Sequence, residues 1–172
     1  MVRKAFDEVM RFGEKTSLTP IVLDLLENKD DETLMEDIAL KYFTRKVDYN
    51  ILTKACFAEA NKGDKVAIDI LVNMADGLAR SAAGAVVRLD LGDNPEVVLA
   101  GSVYVKGSCP VLVEEVKKKI DFYTKKKCNT FVMSVPPATG AIVWAIELAT
   151  GEYPSYEKRQ QLVKKVEEIL NK

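Results

Sequence analysis

The chain has 172 residues, 48% hydrophobic and 30% charged, and a formal net charge of −1. That length allows one domain, or one domain with an appendage, able to bury ~70% of its unfolded surface. The near-neutral balance gives no reason to expect nucleic acid or an anionic membrane as a partner, and the lack of any histidine removes the commonest general base and metal ligand.

Val2, Ala5, Phe6, Val9 and Met10 recur at i, i+3, i+4, i+7 and i+8, which predicts an amphipathic helix ending near Gly13. It starts without a cap, which suggests that further sequence preceded it. Arg3, Lys4, Asp7 and Glu8 break the apolar core that a signal peptide needs. Thr19-Pro20 is read as a cap and first-turn proline opening a helix to Glu27. After a polar turn at Asn28–Asp31, the residues Leu34, Met35, Ile38, Ala39 and Tyr42 form a second stripe. Ile51, Ala55, Phe57 and Ala58 mark a third helix that stops at Lys62-Gly63. These short helices are expected to lack an interior polar cluster and to act as scaffold or lid.

Asp64 is expected to cap the longest helix, Lys65–Leu91, with Ala67, Ile70, Leu71, Met74, Leu78, Ala82, Ala85 and Leu89 buried. Gly77, Ser81 and Gly84 lie near that stripe. A mid-helix glycine costs ~1 kcal/mol relative to alanine, so they are read as sites of close packing. Gly92–Pro95 then turns into the run Val97–Ala100, apolar at every residue, which suits a parallel strand covered on both faces. It ends at Gly101-Ser102-Val103, and loops at the carboxyl ends of such strands are where open α/β sheets bind ligands.

Pro110–Tyr123 is an amphipathic helix with Val111, Leu112, Val116, Ile120 and Tyr123 inward. The runs Lys117–Lys119 and Lys125–Lys127 are read as solvated helix ends favoured by the dipole. Thr130–Met133 is the second strand, and Pro136–Gly140 turns into a central helix, Ala141–Ala149, apolar but for Glu147. Ser155 caps a last, charged helix with Leu162, Val163, Val166, Ile169 and Leu170 on one side. Two parallel strands joined by a helix imply a small sheet. No uncharged run nears the ~20 residues of a membrane span. Cys56, Cys109 and Cys128 are odd in number and widely spaced, against a disulfide framework or zinc site, so a cytoplasmic location is expected.

Three motifs in order carry a resemblance: Gly63-Asp64-Lys65-Val66-Ala67, Val98-Leu99-Ala100-Gly101-Ser102-Val103-Tyr104 and Pro136-Pro137-Ala138-Thr139-Gly140-Ala141. The chain from Lys4 to Leu148 resembles the C-terminal half of the BadF/BadG-type ATPases, especially the N-acetylglucosamine kinases of the actin-like superfamily. The resemblance implies a helix-rich α/β fold, a partial ribonuclease-H-like C-terminal lobe with a short parallel sheet. The chain is accordingly read as three segments: helices over 1–62, the α/β lobe over 63–151, and a C-terminal helix over 152–172 that lies outside the resemblance. Gly101, Ser102, Val103, Gly140 and Ala141 would contribute the adenosine side of a site for ATP with magnesium. The family's two phosphate loops, D-G-G-x-x-T and D-G-G-S-G, are missing. Asp76-Gly77 continues as Leu78-Ala79 inside a helix and matches neither.

The expectation is therefore a lobe of an ATP-dependent amino-sugar kinase that is inactive alone and partnered by a separate N-terminal lobe or a second copy. No residue is assigned as catalytic or as a metal ligand. The alternative is a non-catalytic helical interaction module. A third class, an iron–sulfur activator of dehydratases, needs a cysteine–glycine pattern that is missing around Cys109.

Overall fold

The computed structural model describes residue 9, residues 14–27, 36, 40–41, 44, 47–106 and 109–170. The stripe expected over Leu34–Tyr42 lies outside them, as does all of the expected first helix except Val9, which is helical. The described elements are helix α1 (Leu18–Leu25), α2 (Tyr49–Asn61), α3 (Lys65–Arg88), strand β1 (Glu96–Leu99), α4 (Ser102–Lys106), α5 (Pro110–Thr124), β2 (Asn129–Val132), α6 (Pro137–Thr150) and α7 (Tyr156–Leu170). They form a helix-rich α/β protein whose chain divides into two compact units, Met1–Val132 and Met133–Lys172.

In the first unit α3 packs against α5 and α2, and α2 against α1. Asp64 caps α3, its Oδ1 accepting the Ala67 N–H at 2.9 Å, as its position before the apolar run predicts. The buried face of α3 is Ala67, Ile70, Leu71, Ala75, Ala79, Ala83 and Val86, while Ala85 and Leu89 are exposed. The inward stripe is thus turned from the expected one, toward alanines small enough for close approach of a neighbouring helix. Ala75 and Ala79 share one buried cluster with Leu112, Val116 and Ile120 of α5. Gly77 and Gly84 have no such role. Both are exposed, and a Cβ on either would meet nothing within 4 Å. By length and mean hydropathy (1.2) α3 could cross a membrane, yet its buried residues serve this core.

β1 and β2 pair in parallel, Val97 opposite Thr130 and Leu99 opposite Val132. Leu99 is buried, but the register pair Val98 and Phe131 is 49% and 40% exposed. The strand expected to be covered on both faces is covered on one. Helix α4, within the stretch read as a turn, follows β1 directly.

Other expectations shift by small rotations. α1 starts at Leu18 with Ser17 as cap, two residues before the expected Thr19-Pro20 start. α2 buries Leu52, Cys56, Phe57, Glu59 and Ala60, leaving Ile51 and Ala58 outside. Lys117–Lys119 lie inside α5 rather than at its end, and Lys119 is half-buried against Asp76. α5 instead ends at Lys125, which adopts a left-handed conformation (φ 55°).

In the second unit α6 packs against α7. α6 starts at Pro137, four residues earlier than expected, because a proline at the first helical position leaves no amide stranded. Of its 14 residues only Thr139 and Val143 are buried. The expectation of a central apolar helix fails: Trp144 and Leu148 are 66% and 72% exposed. Ser155 caps α7, accepting the Lys158 N–H at 3.4 Å, and Val166 is its one buried residue.

Candidate functional site

Gly101, two residues past the end of β1, adopts a conformation that favours glycine (φ 123°), and its carbonyl accepts the Tyr104 and Val105 N–H groups of α4. Ser102 and Val103, the first residues of α4, line a cavity of about 450 Å³ together with one stripe of α2. That stripe is Asn50, Thr53, Lys54, Phe57, Ala58 and Asn61, spaced i, i+3, i+4, i+7, i+8 and i+11. The volume lies within the ~300–1,000 Å³ of small-molecule sites. Phe57 and Val103 offer apolar surface, while Asn50, Thr53, Lys54 and Ser102 offer hydrogen-bond donors.

No lining residue is a carboxylate, so the cavity could take magnesium only through a ligand's phosphates. Among the described residues no group of three or more Cys, Asp or Glu side chains could hold a metal. The structure therefore joins Ser102 and Val103 with residues of α2, a helix expected to act as scaffold or lid. The polar periodicity of α2 was the available signal. Gly140 and Ala141 lie in the first turns of α6, both exposed, in the second unit.

Two polar clusters lie outside the cavity. At the α2–α3 elbow, Asp64 Oδ2 accepts the Ser17 N–H at 2.7 Å, and Thr16 Oγ1 lies 3.0 Å from it. Ser17 Oγ is 2.7 Å from Glu59 Oε2 and 2.8 Å from Asp64 Oδ2, so one proton serves two carboxylates. Lys62 Nζ meets Glu59 Oε1 at 2.7 Å. Hydrogen bonds from Lys62 and Ser17 hold the Glu59 carboxyl below its usual range despite burial. For Asp64 burial opposes ionisation most, but the bonds from Ala67, Ser17 and Thr16 outweigh it and the net shift is also downward. This polar cluster overturns the expectation that the short helices carry none.

The second cluster ties α3 to α5. Asp76 accepts from Tyr123 Oη at 2.6 Å, Arg80 Nε at 2.7 Å and Lys119 Nζ at 3.3 Å. The bonds from Tyr123 and Arg80 hold its carboxyl far below the usual range. The Arg80 guanidinium also stacks 4.7 Å from the Tyr123 ring centroid. Both clusters contain fully partnered carboxylates of lowered pKa, the reverse of what a general base at neutral pH requires.

The fold and its surfaces define a helix-rich α/β protein with a two-stranded parallel sheet, a small cavity at one strand end and a largely uncovered apolar helix. No protein-family model, curated protein or solved structure matches the chain.

Proposed function

We propose that this chain is a non-catalytic helical interaction module. The observation that carries the reading is α6, a 14-residue helix with one charged residue and only two buried ones. Large apolar surfaces left open on a folded protein mark docking sites. The partnered carboxylates of lowered pKa in the two clusters and the lack of histidine add support, because neither cluster offers an activated general base and the commonest one is missing from the sequence. A dye that fluoresces on apolar surface tests it. The folded chain should bind the dye, and Trp144→Ala with Leu148→Ala should remove most of that binding with little change in melting temperature. A large fall in melting temperature would mean that these side chains are core, and the reading would fail.

A second reading keeps the nucleotide-binding lobe of an ATP-dependent amino-sugar kinase, with a ribonuclease-H-like fold. The cavity beside Ser102 and Val103 favours it. On this reading Lys54 and the hydroxyls of Thr53 and Ser102 face the nucleotide, and the phosphates and magnesium belong largely to a separate N-terminal lobe. The chain alone should then bind an adenine nucleotide weakly by calorimetry, lose that binding with Thr53→Val, and show no ATP turnover. Robust hydrolysis abolished by substituting one of the chain's own residues would defeat both readings.

A further inference from the structure

Of the described residues that line the cavity between α2 and α4, Phe57 is the buried one, and Val103, across on α4, is half-buried. The floor is therefore apolar. The remaining wall is largely polar, made by Asn50, Thr53, Lys54 and Ser102. No hydrogen bond or ion pair among the described residues uses any of those four side chains. None of the described lining residues is acidic, and Lys54 is their single cation. We propose that the cavity binds a small monocarboxylate with a compact apolar body, its carboxylate on Lys54 and its body on Phe57, Ala58 and Val103.

The spacing along α2 separates the two halves of such a ligand. Asn50 lies four residues before Lys54 on one face, and Phe57 and Ala58 lie three and four residues after it. Donors thus gather at one end of the stripe and apolar surface at the middle, which matches a molecule with one polar head. Charge selects the head. A cationic ligand would meet the Lys54 ammonium with no acid in the lining to offset the repulsion. A phosphate monoester carries about −1.5 to −2 at neutral pH, more than one lysine balances, whereas a carboxylate carries a single charge. The hydroxyls of Thr53 and Ser102 and the amide of Asn50 supply donors for the carboxylate's other lone pairs. This inference goes beyond the interaction reading, which rests on α6 in the other unit, and competes with the nucleotide reading for one cavity.

Cyclohexylacetate is the probe, because its rigid ring loses little freedom on binding. With about ten non-hydrogen atoms it should bind the full chain with a Kd of about 1 mM, read from amide shifts in isotope-labelled protein. The shifts should centre on Thr53, Lys54, Ser102 and Val103. Neutral cyclohexylacetamide should bind about three- to tenfold more weakly. Lys54→Met should erase that preference for the acid over the amide, and Lys54→Arg should keep it. Lys54 is exposed, so neither variant should lower the melting temperature. Ala58→Phe, at an exposed lining position, should fill the cavity and abolish binding of both molecules. No saturable shift at about ten times the expected Kd overturns the proposal. Equal binding of acid and amide to the unsubstituted chain, shifts centred elsewhere, or binding that survives Ala58→Phe also overturns it. Adenosine monophosphate that binds more tightly than the acid and depends on Lys54 returns the cavity to the nucleotide reading and overturns this one. None of these outcomes touches the interaction reading, whose own test is on α6.

Discussion

Asp64 does two jobs at once: it caps α3 and ties the start of α1 to the α2–α3 elbow through Ser17 and Thr16. Removing a capping carboxylate costs about 0.5–2 kcal/mol, so Asp64→Ala should lower unfolding stability in urea by that order. The pH dependence has a fixed sign. The folded pKa values of Asp64 and Glu59 lie below their unfolded ones. Their contribution is therefore present above the unfolded range near ~4, and is lost as pH falls through the lower folded values. The native chain should weaken below about pH 4, and Asp64→Ala should weaken less over that interval. Equal acid slopes for the two proteins would refute the assignment. The thiols divide by burial in the same way. Cys56 is buried and its thiol is pushed up to about 11, mainly by burial, and Cys109 is also buried. Only the half-buried Cys128 should react promptly with a thiol reagent in the native chain at pH 8, with all three reacting in denaturant. Prompt reaction of Cys56 would contradict its position in the core.

At the scale of elements, the α3–α5 contact shows which residues do the packing. Alanines 75 and 79 share the buried cluster of α5, whereas Gly84 faces open space in ordinary helical conformation. Gly84→Ala should therefore stabilise the chain by ~0.5–1 kcal/mol, since the helix gains propensity and nothing clashes. Ala79→Leu should destabilise it by about 1–3 kcal/mol through overpacking. Urea unfolding measures both, and a destabilising Gly84→Ala would restore the close-packing role to the glycine. These positions also mark where sequence was legible. Asp64 and Pro110 announced their helix starts because capping chemistry is local, and the uncharged runs around Val98 and Phe131 announced a parallel pair. Which side faces inward was not local. α2 offers Ile51 and Ala58 as well as Leu52 and Cys56, and only packing against α1 and α3 selects the second set. Likewise, an apolar strand looks the same whether one face or both are covered, so Val98 gave no hint of its exposure. Of the candidate site, Ser102 and Val103 could be read from the strand-end rule. The α2 wall showed only as the polar spacing of Asn50, Thr53, Lys54 and Asn61, which acquires a meaning once α4 is set against it.

At the scale of the molecule, the two units differ in how much they bury. The first holds nearly all of the fully buried side chains, among them Ile70 and Leu71 in α3 and Leu112 and Ile120 in α5. The buried residues of α6 and α7 are Thr139, Val143 and Val166. Local opening free energy follows buried apolar contact, so it should be lowest where so few side chains leave water. Amides of α3 and α5 should exchange with deuterium most slowly, and those of α6 in dilute protein faster by about 100-fold, or ~3 kcal/mol in opening free energy. Protection of α6 equal to that of α3 in dilute protein would show that the second unit is stabilised by something other than its own thin core. The apolar surface of α6 would then have to be covered already.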